Sequence, residues 1–143
     1  MSILEQVQDD VKTAMKAGER RRVGQLRMIV YALQAEEKEG KGDEIAALQR
    51  ERKRRLDAAE ALREGGRTDQ ADTEEAEATL IEGYLPEQLS DEELSELVAS
   101  AVETTGASES KDIGGVMKVL MPKVGGRADG KRVSQAVREK LGA

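Results

Sequence analysis

The chain contains no cysteine, no histidine, no phenylalanine and no tryptophan. Each absence removes a class of function. Without cysteine there is neither a disulfide framework nor thiol chemistry. Without histidine there is no Ser–His triad, no Cys/His zinc site and no side chain that ordinarily titrates near neutrality. The only aromatic residues are Tyr31 and Tyr84, which disfavours reading of single-stranded RNA by base stacking. No apolar run approaches the roughly 18 residues of a membrane span. The start, MSILEQVQDDVK, is acidic and amphipathic and lacks the basic opening of a signal peptide. The expectation is a cytoplasmic protein with no membrane association.

What is present is charge and helical periodicity. Of 143 residues, 36% are charged, and no segment sustains the period-2 alternation of a strand. Ser2 opens a first helix carrying Leu4, Val7, Val11 and Ala14, ending near Gly18. A second spans about Glu19 to Glu39, with Leu26, Ile29, Val30 and Leu33 on one face. Asp43 caps a third, with Ile45, Leu48, Leu56, Ala59 and Leu62 directed inward, ending at Gly65-Gly66. Thr68 opens a fourth that reaches Leu80, Ile81 and Tyr84. Ser90 and Glu93 form a capping box for a fifth, with Leu94, Leu97, Val98 and Ala101. Ser110 caps a sixth with Ile113, Val116, Met117 and Leu120, stopped by Pro122. Asp129 caps a seventh with Val133, Ala136, Val137 and Leu141. The expected fold is all-α, with an N-terminal antiparallel helical domain over 1–87 and a small C-terminal three-helix domain over 88–143.

The net charge of −6 conceals three zones. Residues 1–67 hold 15 Lys/Arg against 13 Asp/Glu, residues 68–106 hold none against 12, and residues 107–143 hold 8 against 4. The last zone contains MPKVGGRADGKRVSQAV, where cations gather around a glycine-rich turn. Lys131 and Arg132 fall in the first turn of the seventh helix and Arg127 just before it. Cations there oppose the helix dipole, and a bound phosphate would relieve the conflict. Gly125, Gly126 and Gly130 would let backbone amides approach such an anion. The same residues also fit a plain turn in which Asp129 caps the helix and the cations are solvated. The order of residues is not that of a Walker P-loop.

Three further charged stretches read first as solvated helix faces. QRERKRR at 49–55 is one, with nucleic-acid contact as its alternative, and ERRRV at 19–23 is similar. The acidic run DQADTEEAEATLIEG is the third. It lacks a calcium-loop pattern, and its alternatives are an intramolecular role or docking on a basic partner protein. No nucleophile–base constellation, metal-ligand set or cofactor motif is present, so no catalytic or metal-binding residue is assigned and no cofactor is expected.

The run KDIGGVMKVLMPKVGGRADGKRVSQAVREKL closely resembles the GatB/YqeY family, and GYLPEQLSDEEL and DDVKTAMKAGERRRVGQLRMI resemble its stand-alone YqeY-like members. The resemblance covers essentially the whole chain. It implies an all-α protein of two helical domains and, by likeness to the tail of the tRNA-dependent amidotransferase B subunit, contact with tRNA. The implied RNA-binding residues are Lys118, Lys123, Arg127, Lys131 and Arg132, joined by Gly126 and Gly130 of the turn. An amidotransferase or another protein is the alternative partner. A carbon–nitrogen ligase activity with glutamine as amide donor accompanies the family name, but the residues that would perform it are absent from this chain.

Overall fold

The structure is a computed structural model that describes residues 1–142. It is all-α, as the apolar spacing predicts. Among the described residues seven α-helices follow in order: α1 (Ile3–Lys16), α2 (Arg20–Glu39), α3 (Glu44–Glu64), α4 (Thr68–Glu82), α5 (Asp91–Thr105), α6 (Ile113–Val124) and α7 (Gly130–Leu141). A 3-10 turn, Ser110–Asp112, precedes α6. The chain divides into two compact units, one ending at Leu85 and the other beginning at Pro86.

In the first unit the core is aliphatic. Val7, Leu26, Leu33 and Leu48 are fully enclosed and Ile81 nearly so, and Leu4, Val11, Leu80 and Tyr84 pack around them. Each large side chain buried in this way stabilises the fold by about 1.5–3 kcal/mol before entropy is counted. The N-terminus of α1 is satisfied twice. Ser2 Oγ accepts from Glu5 N, and Glu44, the first residue of α3, accepts from Ile3 N at 3.1 Å and Leu4 N at 2.8 Å. Midway along α1, Asp10 Oδ2 accepts the hydroxyl proton of Tyr84. Burial, then the Asp10 carboxylate, push the phenol pKa upward, so Tyr84 is a neutral hydrogen-bond donor.

The α3–α4 hairpin is built differently. Apart from Ala47, Leu48 and Ile81, which belong to the core above, its buried residues are small: Ala59, Ala71 and Ala78. Small side chains let the helices approach closely, and longer charged ones bridge the flanks. Arg52 pairs with Glu82 at 2.7 Å, Arg55 with Glu74 at 3.3 Å and Glu77 at 3.0 Å, and Arg63 with Asp72 at 2.7 Å and Glu75 at 2.8 Å. The residue numbers fall on one side as they rise on the other, so the two helices are antiparallel. Arg50 reaches back to Glu36 of α2 at 2.7 Å.

Three expectations need correction in these elements. Leu56 is not directed inward but is 36% exposed. Arg55 turns toward α4 instead, because the acidic face of α4 offers it two carboxylates and Glu51 of its own helix adds a third at 3.0 Å. The basic run at 49–55 is therefore not simply solvated, and neither is the acidic run opposite it. Each neutralises much of the other.

Pro122 does not stop α6, which continues to Val124. Proline removes one hydrogen bond near the end of the helix, but continuation places Val124 fully inside the core. The helix ends instead at Gly125, left-handed at φ 55, whose N–H donates to Met121 O. Ser110 does not cap α6. It lies in the 3-10 turn, and Asp112 organises that turn by accepting from Ser108 N at 3.0 Å and Glu109 N at 3.1 Å.

The second unit packs α5, α6 and α7 around Leu94, Val98, Ala101, Val116, Leu120, Val124, Val133 and Val137. The capping box of α5 is complete, with Glu93 N donating to Ser90 Oγ and Ser90 N to Glu93 Oε1. Among the described residues, no helix is long and apolar enough to cross a membrane.

Candidate nucleic-acid interface

The basic turn lies in the second unit, between the end of α6 and the start of α7. Two consecutive glycines, Gly125 at φ 55 and Gly126 at φ 86, reverse the chain in a conformation that costs other residues energy. Ala128, 1% exposed, then anchors the turn in the core. The preceding loop holds its outer edge: Leu89 N donates to Arg127 O at 2.7 Å, and Gln88 Nε2 to Gly126 O at 3.3 Å. Asp129 Oδ1 accepts from Arg132 N at 2.8 Å and caps α7. The turn is thus fixed by the protein's own groups.

The cations around it divide into two kinds. Arg127 is engaged: its Nη2 donates to Lys123 O at 2.8 Å and its Nε to Val124 O at 3.2 Å. These carbonyls belong to the last turn of α6, which has no intrahelical donors for them. Arg127 is therefore a side-chain cap for α6. Its charge also helps hold Glu93 below the ordinary carboxylate pKa of 4.5, after the larger effect of the Ser90 backbone and hydroxyl donors. Arg132 is also engaged, donating from Nη2 to Asp91 Oδ1 at 2.7 Å and so joining the starts of α7 and α5.

Lys118, Lys123 and Lys131 are exposed and form no ion pair among the described residues. Lys123 and Lys131 flank the turn on either side, with Gly126 and Gly130 between them. Lys118 lies five residues before Lys123 on α6, about 140° around the helix, and so faces a different direction. Of the seven residues singled out from the sequence, six form or flank the turn and Lys118 stands apart. Sequence reasoning missed the capping role of Arg127, although a cation just past a helix C-terminus is a known signal for it.

A surface groove of about 640 Å³ runs between α5 and α7, with the Asp91–Arg132 pair at its rim and Leu94, Ser95, Gln135 and Glu139 along it. Among the described residues, no group of three or more Asp or Glu side chains is placed to hold a metal ion.

Comparison with protein families agrees with the resemblance seen in the motifs. The profile described as Yqey-like protein matches residues 4–141. The match takes in both units and the whole basic turn, and the chain belongs to the YqeY-like family. A search of curated proteins returns no match.

Proposed function

We propose that this protein is a non-catalytic helical module that associates with a folded RNA, tRNA being the preferred candidate, and holds its phosphate backbone at the turn of the second unit. The observation that carries this reading is the pair of exposed lysines, Lys123 and Lys131, left without carboxylate partners among the described residues on either side of a rigid glycine turn. The family's likeness to the tail of the amidotransferase B subunit supports tRNA as the RNA. The scarcity of aromatic residues favours contact with backbone and shape over splayed bases. Arg127 contributes mainly by fixing the turn. Docking of α4 on a basic partner is the weaker reading, because Asp72, Glu74, Glu75, Glu77 and Glu82 already face arginines of α3.

The test is binding of an unmodified tRNA transcript across a salt series. Phosphate-dominated binding weakens steeply with salt, and removal of two phosphate contacts lowers the log–log slope by about 2. Lys123→Ala with Lys131→Ala should produce that change without altering the thermal melt. No binding at low salt, or an unchanged slope in the double variant, would refute the assignment. Glutaminase and amidotransferase turnover by the purified chain are expected to be absent.

A further inference from the structure

The arginines of the first unit are treated unequally by the fold. On α3, Arg50, Arg52, Arg54, Arg55 and Arg63 each lie within ion-pair distance of a carboxylate. On α2, Arg20, Arg21, Arg22 and Arg27 are exposed, and none of them forms an ion pair among the described residues. Arg21 reaches only the hydroxyl of Thr73, at 3.3 Å, and Arg27 only the sulfur of Met15, at 3.9 Å.

Four exposed residues of α2, Arg20, Gly24, Arg27 and Tyr31, recur at intervals of 4, 3 and 4. That spacing puts them on one face of the helix, in a stripe roughly 16 Å long. The Met15–Arg27 contact places the exposed row Lys12, Met15 and Lys16 of α1 beside it. Residues 12–27 carry six cations, Lys12, Lys16, Arg20, Arg21, Arg22 and Arg27, against the single acid Glu19, a net of +5.

Two details indicate the chemistry of an occupant. Tyr31 is 59% exposed, the one aromatic ring the protein presents broadly to solvent. Gly24 sits inside an exposed helix where an added Cβ would meet nothing within 4 Å. No contact within the chain calls for glycine there, and its bare backbone permits close approach by another molecule. Planar guanidinium groups without partners match phosphate oxygens two at a time.

We propose that the α1–α2 face bearing Arg20, Gly24, Arg27 and Tyr31 is a second RNA-binding surface, where the arginines hold backbone phosphates and Tyr31 stacks on a base or packs on a sugar. The surface is inferred independently of the turn; the choice of RNA rests on the function proposed above. An anionic membrane fits less well, since an interfacial helix needs a continuous apolar face and this one alternates cations with glycine. The acidic helix of a second copy fits less well too, because α3 already occupies its carboxylates.

The experiment uses the full chain and a fluorescently labelled, unmodified tRNA transcript in a salt series, with thermal melts to confirm folding. Arg20→Gln with Arg27→Gln should weaken binding about ten-fold or more at low salt and lower the log–log slope by about 2. Tyr31→Ala should weaken binding about ten-fold with the slope unchanged, because stacking releases no counterions. Wild-type affinity in the arginine double variant overturns the proposal, even if Lys123→Ala with Lys131→Ala proves damaging. The opposite pattern upholds it and refutes the role of the turn. Failure of the unaltered chain to bind the transcript overturns both. An unaffected Tyr31→Ala, together with equal binding to phosphatidylserine vesicles, assigns the face to lipid and overturns it as well.

Discussion

Arg127 Nη2 donates to the main-chain carbonyl of Lys123 at 2.8 Å, so one of the two cations at the start of the basic turn holds the backbone of the other. The pair separates roles that composition alone would merge. Arg127 supports the turn by capping α6, and Lys123 remains open to a ligand.

Variants of the two residues should therefore differ in kind. Arg127→Ala removes two charge-assisted hydrogen bonds to helix-end carbonyls, which water can partly replace, and should destabilise the second unit by about 1 kcal/mol. Lys123→Ala should stay within about 0.5 kcal/mol of the parent. Chemical denaturation followed by NMR signals from each unit distinguishes them. Equal stability of the two variants would contradict the capping role.

Arg55 is the hinge of the α3–α4 ladder, and its guanidinium is held protonated against burial by Glu74, Glu77 and Glu51. Arg55→Ala would leave three neighbouring carboxylates without their shared cation. A loss of about 2–3 kcal/mol is expected, somewhat below the range for a fully buried pair. Arg55→Met with Glu77→Gln should recover much of it, since apolar packing then replaces a desolvated pair. Denaturant midpoints of the single and double variants measure the coupling.

Glu77 gives the first unit an inverted response to pH. Burial raises its pKa above the ordinary 4.5, the nearby Arg55 charge opposes that shift, and Glu74 and Glu51 reinforce it. Its Oε2 lies 3.0 Å from Arg55 but without hydrogen-bond alignment. A raised folded pKa means that its contribution is full below about 4.5 and is lost as pH rises through the folded value. The stability of Glu77→Gln relative to the parent should accordingly increase over that interval.

Glu93 and Asp112 behave oppositely. Their pKa values are lowered from 4.5 and 3.8, chiefly by backbone donors at Ser90 and at Ser108 and Glu109. Their contributions are present above those ordinary values and are lost as pH falls through the lowered ones. Amide protection factors, exchange rates corrected for the intrinsic pH dependence, should fall at the starts of α5 and α6 on acidification through this range. Glu93→Gln and Asp112→Asn should blunt the effect.

The glycines offer a test with opposite signs. Gly24 is helical with open space around it, so Gly24→Ala should stabilise the first unit by about 0.5–1 kcal/mol. Gly125 is left-handed at φ 55, and Gly125→Ala should destabilise the second unit by about 1 kcal/mol. Thermal melts of both variants check the pair.

Much of the fold was legible because its signals are local. The apolar spacing along α2, the Ser90–Glu93 box and the caps at Asp43 and Asp129 all involve residues a few positions apart. Pro122 was misleading, since its local penalty is opposed by burial of Val124 against other helices. Leu56 was misleading for a related reason: the carboxylates of α4, about 20 residues onward, draw Arg55 into the inward position. The candidate turn was visible as a cluster of glycines and cations. Which of its cations are occupied was not.

The amino-acid sequence by itself determined that this protein is helical, where most of its helices begin and end, and that its chemistry excludes cysteine and histidine. Those properties follow from hydrogen bonds and caps that close within four residues. Only the tertiary structure decided which charges are neutralised. The arginines of α3 and those near the start of α2 look alike in the chain, yet α4 lies against the first group and, among the described residues, no carboxylate pairs with the second. That difference arises from helices packing across tens of residues, and it separates the cations that hold the fold together from those available to a partner.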